Sequence, residues 1–221
     1  MARLLDAPLV ASGVSRLVYD CNRPPEADDA IAAESAGVAI PGNVGLTAEE
    51  RRLRVERYYA PFHRALAACI DGRLSRPRAP VQVPVQVPVL LTVHSFTPVY
   101  DGVRREMDLG ILHDADARFA DLLIDVVESD GDLVVRRNAP YGPKDGVTHT
   151  LIEHGLRRGL PNAMVEIRND LIESPETQNA MAARLARYAA QARAAMESMA
   201  NPEAARAGGA VDRPLASRAA G

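Results

Sequence analysis

The strongest periodic signal in the chain runs from Thr47 to Gly72. Val55, Tyr59, Phe62, Leu66, Cys69 and Ile70 recur at helical spacing, with Arg and Glu on the other face. Thr47 and Glu50 make the T-x-x-E of a capping box, and Gly72 marks the end of the helix. Upstream, residues 8–11 (PLVA) and 14–19 (VSRLVY) read as short strands on either side of Gly13. The polar, Pro-rich stretch from Asp20 to Asn43 is too long for a plain connector. Downstream, residues 75–88 carry VQVPVQVP, whose prolines remove backbone donors and forbid a central strand. An extended insertion is expected there, leading into a buried strand at 89–93.

Beyond that strand the pattern alternates between the two periods. Residues 107–112 (MDLGIL), 132–137 (DLVVRR) and 163–167 (AMVEI) predict strands. Residues 117–128 predict an amphipathic helix, 148–159 a short helix closed by Gly159, and Pro175 to about Met199 a long Ala-rich one. Such alternation predicts an α/β sandwich with a mixed or largely parallel sheet. One domain over residues 1–200 is expected, with a disordered tail over 201–221 that has no periodic apolar face.

Composition narrows the function classes. A formal charge of −3, with aromatics at 4% and Arg interleaved with acids, speaks against nucleic-acid binding. No apolar run approaches a membrane span, and the N-terminus lacks the pattern of a secretory signal. Two cysteines, Cys21 and Cys69, make neither a disulfide framework nor a Cys-rich zinc site, which fits a reducing, cytoplasmic setting.

Ligands of open α/β sheets bind beyond the carboxyl ends of the strands. Three such ends carry chemistry: Asp20-Cys21-Asn22-Arg23, His94-Ser95-Phe96, and Glu166-Ile167-Arg168. A lone His at a strand end is more often a hydrogen-bonded structural residue than a ligand. Glu166 is harder to explain that way, because burying a carboxylate is costly unless it is paired or bound to metal. Arg168 is its candidate partner. His, Glu and Arg together suit metal-assisted hydrolysis of a carboxylate-bearing substrate. His63 falls at the edge of its helix. His149 and His154, five residues apart, have the wrong spacing for one face of an α-helix.

These segments resemble the N-formylglutamate amidohydrolase family, within the zinc carboxypeptidase and aspartoacylase fold group. The resemblance is carried, in order, by SRLVYDCNRPP (15–25), IPGNVGLTAEER (40–51), HSFTPVYDG (94–102), LGILHDADAR (109–118) and VEIRNDLI (165–172), and spans about residues 8 to 190. It implies a three-layer α/β sandwich of zinc-carboxypeptidase (phosphorylase/hydrolase-like) type, and hydrolysis of the amide of a small N-acyl amino acid such as N-formylglutamate. It implies one zinc ion with His94 as a ligand, Glu166 as general base, and Asn22 and Arg23 on the substrate carboxylate. Arg16, Arg168 and His154 are further substrate-binding candidates.

The family's upstream His-containing segment, which supplies the other zinc ligands, has no counterpart in this sequence. The chain is therefore expected to be an N-terminally truncated version of the domain, with apolar surface that favours a homo-oligomer. His113 or Asp20 are the substitute ligands on offer. The alternative to a hydrolase is an inactive paralogue or fragment that binds an acidic small molecule without turnover.

Overall fold

The computed structural model describes residues 1–35, 37–75 and 88–200. The Pro-rich repeat and the tail expected at 201–221 lie outside the described residues. In chain order the elements are a two-stranded ribbon, β1 (Glu34–Ser35) and β2 (Val38–Ala39), then α1 (Ala48–Arg54), a π-helical turn (Val55–Tyr59) and α2 (Ala60–Leu74). Strand β3 (Leu90–Phe96) is followed by the hairpin β4 (Val99–Tyr100) and β5 (Val103–Arg104), then β6 (Leu109–Leu112), α3 (Arg118–Asp130) and β7 (Val135–Arg137). A second π-helical turn (Leu151–Gly155) and a 3-10 turn (Leu156–Arg158) lead to β8 (Asn162–Arg168) and α4 (Pro175–Ala200). Among the described residues no helix is long and apolar enough to cross a membrane.

The main sheet has the order β3-β8-β6-β7. Strand β8 runs parallel to β3 and antiparallel to β6, and β6 runs parallel to β7, so the sheet is mixed. Every residue of β8 is buried, as expected of a central strand covered on both faces. Side chains alternate across a strand, and the two faces meet different helices. Ala163, Val165, Ile167, Leu109 and Ile111 pack against α3 and α4 through Phe119, Leu123, Leu185 and Tyr188. Leu90, Leu112 and Met164 face Leu66 of α2 and Leu151. His94 and Glu166 share the parity of Leu90 and Met164, so they project from the α2 side, nearer the carboxyl ends of the strands.

The helix expected from Thr47 forms, capped as its sequence predicts. The Glu50 N–H donates to Thr47 Oγ1 at 3.2 Å, and the Thr47 N–H donates to Glu50 Oε2 at 2.8 Å. It is not uniform, because Pro61 in its interior lacks an N–H and crowds the preceding turn. The π-helical turn at Val55–Tyr59 lies immediately ahead and takes up the lost register.

The strands expected at 8–11 and 14–19 do not form. Residues 16–18 are a turn, and Tyr19 is buried in a satellite cluster with Cys21, Ala30, Ile31 and residues of the long helix. The apolar positions there serve this cluster rather than a ladder.

Candidate active site

An open cleft of 2210 Å³ borders β3, and His94, Glu166, Asp20 and Arg16 all line it. Pairing of β3 with β8 sets His94 directly beside Glu166, and Gly110 of β6 flanks Glu166 on the other side. Gly110 is required by the backbone. A Cβ there would lie 1.9 Å from the carbonyl oxygen of Ala139, so glycine is what lets the 139–141 segment pass over the strand and bring Tyr141 to the cleft.

Glu166 is 5% exposed, and its Oε2 has no hydrogen-bond partner among the described residues. Burial pushes its carboxyl up to about 7; Arg105 and Arg16 pull it down, and Asp20 pushes it up again. Burial also pushes His94 below the usual imidazole range, against the pull of Asp20 and with the help of Arg16. A neutral imidazole therefore stands next to a carboxyl poised near neutrality, with Arg16, Asp20 and Arg105 as the surrounding charges. This is the protonation state of a general acid–base group at physiological pH.

The family model for N-formylglutamate amidohydrolase matches residues 1–173. The chain belongs to that family. A gene product of Agrobacterium tumefaciens with a solved structure is 46% identical, with the match covering 82% of this chain and 69% of that one at a TM-score of 0.75. An N-formylglutamate amidohydrolase from Ralstonia eutropha is 21% identical over 70% of this chain and 56% of that one, with a TM-score of 0.44. No curated protein matches the chain.

Not every residue singled out in the sequence reaches the cleft. Arg16 does, held by Asp20 at 3.2 Å. Arg23 also does, with its Nε on Asp29 at 2.7 Å. Asn22 lines the cleft, but its amide is engaged with backbone: Nδ2 donates to the Val147 carbonyl, and Oδ1 accepts from the Thr150 N–H at 3.0 Å.

Arg168 is not the partner of Glu166. Its guanidinium is taken by Asp108 at 3.0 Å and Asp170 at 2.8 Å, and by the Met107 carbonyl, so it ties the end of β8 to the start of β6. His154 is buried away from the cleft lining, with Nε2 2.7 Å from Nδ1 of His63. His113 likewise misses the lining, its ring held by the Asp114 carbonyl and Arg137.

Zinc of the catalytic kind normally has three protein ligands. Among the described residues no group of three His, Cys, Asp or Glu side chains is disposed to hold a metal ion. His94 suits one ligand position, and the described residues do not complete the set.

Two features went unread in the sequence. Arg105, from the segment after β5, lies 4.8 Å over the Tyr100 ring, 5.0 Å over Tyr141 and 5.6 Å over Phe96. Phe96 and Tyr100, shortly before it in the chain, were the available signal, while Tyr141 is brought in by the fold. The second is a histidine cluster. His63 and His149 pack on Tyr59, whose hydroxyl is 2.9 Å from Nε2 of His149, and His154 stacks on His63. The five-residue spacing that fails on an α-helix works here because a π-helical turn closes over i to i+5.

Proposed function

We propose that this chain hydrolyses the amide bond of a small N-acyl amino acid of the N-formylglutamate kind, which for that compound releases formate and glutamate. The observation that carries the reading is Glu166, a buried carboxyl with a free oxygen and a pKa of about 7, lining the cleft beside His94. Ionised Glu166 takes a proton from the attacking water, and the protonated acid then gives it to the leaving nitrogen. Arg23, already oriented by Asp29, holds the substrate carboxylate through its remaining N–H groups. Arg16 adds positive charge beside the oxygen that becomes negative as water attacks. Asn22 acts indirectly by fixing the 147–150 loop against the Arg23 segment.

A zinc ion held in part by His94 belongs to the proposal as an expectation from the family, to be completed by donors outside the set described. A cytoplasmic setting also belongs to it, in keeping with two unpaired cysteines. The incomplete ligand set favours one rival reading, a domain that binds an acidic small molecule without turnover.

The test is formate release from N-formyl-L-glutamate by protein supplied with zinc. Turnover that falls about 10²- to 10⁴-fold in Glu166→Gln supports the hydrolase reading. Turnover unchanged in that variant sinks the mechanism. Saturable binding with no turnover, with or without zinc, leaves the binding domain.

A further inference from the structure

We propose that Arg105 selects a second carboxylate on the substrate, so that the cleft takes an N-acylated acidic amino acid in preference to its neutral isostere. This rests on the reading above for where substrate lies, and it adds the residue that reads the side chain.

Arg105 differs from the other cations around the site in what holds it. Arg16, Arg23 and Arg168 each have a carboxylate partner. Among the described residues Arg105 has none. Its guanidinium is held by three aromatic faces, by the Tyr141 hydroxyl at 3.2 Å and by the Thr97 carbonyl at 3.3 Å. Aromatic faces fix a guanidinium without neutralising it. A half-buried cation is costly to leave unpaired, and a guanidinium has five N–H donors, of which the contacts to Thr97 and Tyr141 leave Nε–H and one N–H of Nη2 free. The cage thus presents a pre-oriented fork with donors to spare, the arrangement that grips a carboxylate in two places.

The fork is also in the right place. Arg105 and Tyr141 both line the cleft, and Arg105 is the cation felt most strongly by Glu166. Arg23 belongs to a different wall, the segment before α1, and is oriented by its own acid. Two arginines on separate elements that both line the cleft match a substrate with two carboxylates. The aromatic rings suit the short apolar stem between them. A neutral side chain would leave the Arg105 fork desolvated and unpaired, which is how such a site rejects an isostere.

The experiment compares N-formyl-L-glutamate with N-formyl-L-glutamine, a near-isostere that loses the charge and exchanges one acceptor oxygen for an NH2, by calorimetric binding to the wild type and to Arg105→Gln. The wild type is expected to bind the acid at least about 30-fold more tightly, the size of a charged hydrogen-bonded pair. In Arg105→Gln the ratio collapses to within about threefold, and Arg105→Lys, which keeps the charge and loses the fork, falls between.

A wild type with no preference overturns the proposal. So does a ratio preserved in Arg105→Gln, since a loss common to both ligands marks a structural or oxyanion role. The readout needs no turnover. An intact ratio without hydrolysis therefore sinks the hydrolase reading alone, and hydrolysis without a ratio sinks the Arg105 proposal alone.

Discussion

Nδ1 of His63 lies 2.7 Å from Nε2 of His154, and together with the Cys21 carbonyl this contact sets the tautomers of both rings. His63 has its other nitrogen 2.8 Å from the Cys21 carbonyl, so Nε2 must carry the proton and Nδ1 must accept. His154 then donates from Nε2, leaving Nδ1 bare toward the Arg158 guanidinium at 3.5 Å. A further proton on either ring would meet a donor or a cation. Burial lowers both pKa values, that of His154 to about 4, with His63, Arg158 and His149 adding to the effect and Asp71 opposing it.

The consequence is an acid-sensitive clamp on the segment that bears Asn22 and Arg23. Unfolded histidine titrates near 6.5, so between about pH 4 and 6.5 the unfolded chain binds the extra proton. Stability contributed by the pair is complete above about pH 6.5 and is lost as pH falls toward 4. Urea unfolding at pH 5 and pH 7.5 is expected to show this loss in the wild type and a shallower dependence in His154→Asn. An equal dependence in the two proteins contradicts the assignment.

Gly110 predicts a steric failure next to the site. Its added Cβ would meet the Ala139 backbone oxygen at 1.9 Å, and no side chain rotation relieves a backbone clash. Gly110→Ala is expected to cost about 3 kcal/mol, at the upper end for overpacking. It should also disturb the Tyr141 contact with Arg105. A urea midpoint matching the wild type would show that the 139–141 segment does not pass so close.

Asn22 separates positioning from ligand contact. Removing its amide leaves the Val147 carbonyl and the Thr150 N–H without their partner, at a cost of about 1–3 kcal/mol. Asn22→Ala is expected to lower stability by that amount, and Asn22→Asp not to rescue it, since a carboxylate oxygen would face the Val147 carbonyl. Unchanged stability with weaker binding of N-formyl-L-glutamate would instead make Asn22 a direct carboxylate ligand.

Much of the layer architecture was legible in the sequence because its elements carry their own periodicity. The run 117–128 is one such case, with α3 burying Phe119, Leu123 and Val127 and ending at Gly131 in the left-handed conformation. The strand at 163–167 is another. Legibility failed where tertiary context decides. The apolar positions of 14–19 looked like a strand, but Tyr19 is drawn into the cluster with Tyr59.

The β4–β5 hairpin was written in Asp101-Gly102, both at positive φ, a turn signal that went unused. At the site, Glu166 stood out because an acid inside an apolar strand is anomalous on its face. Arg168 misled, because a nearby arginine on the same strand says nothing of acids such as Asp108 that the fold brings closer. The histidine cluster was hidden by a local change of helical pitch, which an α-helical reading of spacing does not contain.

Hydrolysis as proposed requires Glu166 to be a carboxyl that changes charge near neutrality. Infrared difference spectra between the wild type and Glu166→Gln, taken across pH 5 to 9, isolate that one group. The protonated carboxyl band is expected to be present at pH 5, half lost at about pH 7 and gone by pH 9, with the carboxylate band rising in step. A carboxylate band already complete at pH 5 would contradict the account, since an ordinary surface acid would then stand where a poised base is required.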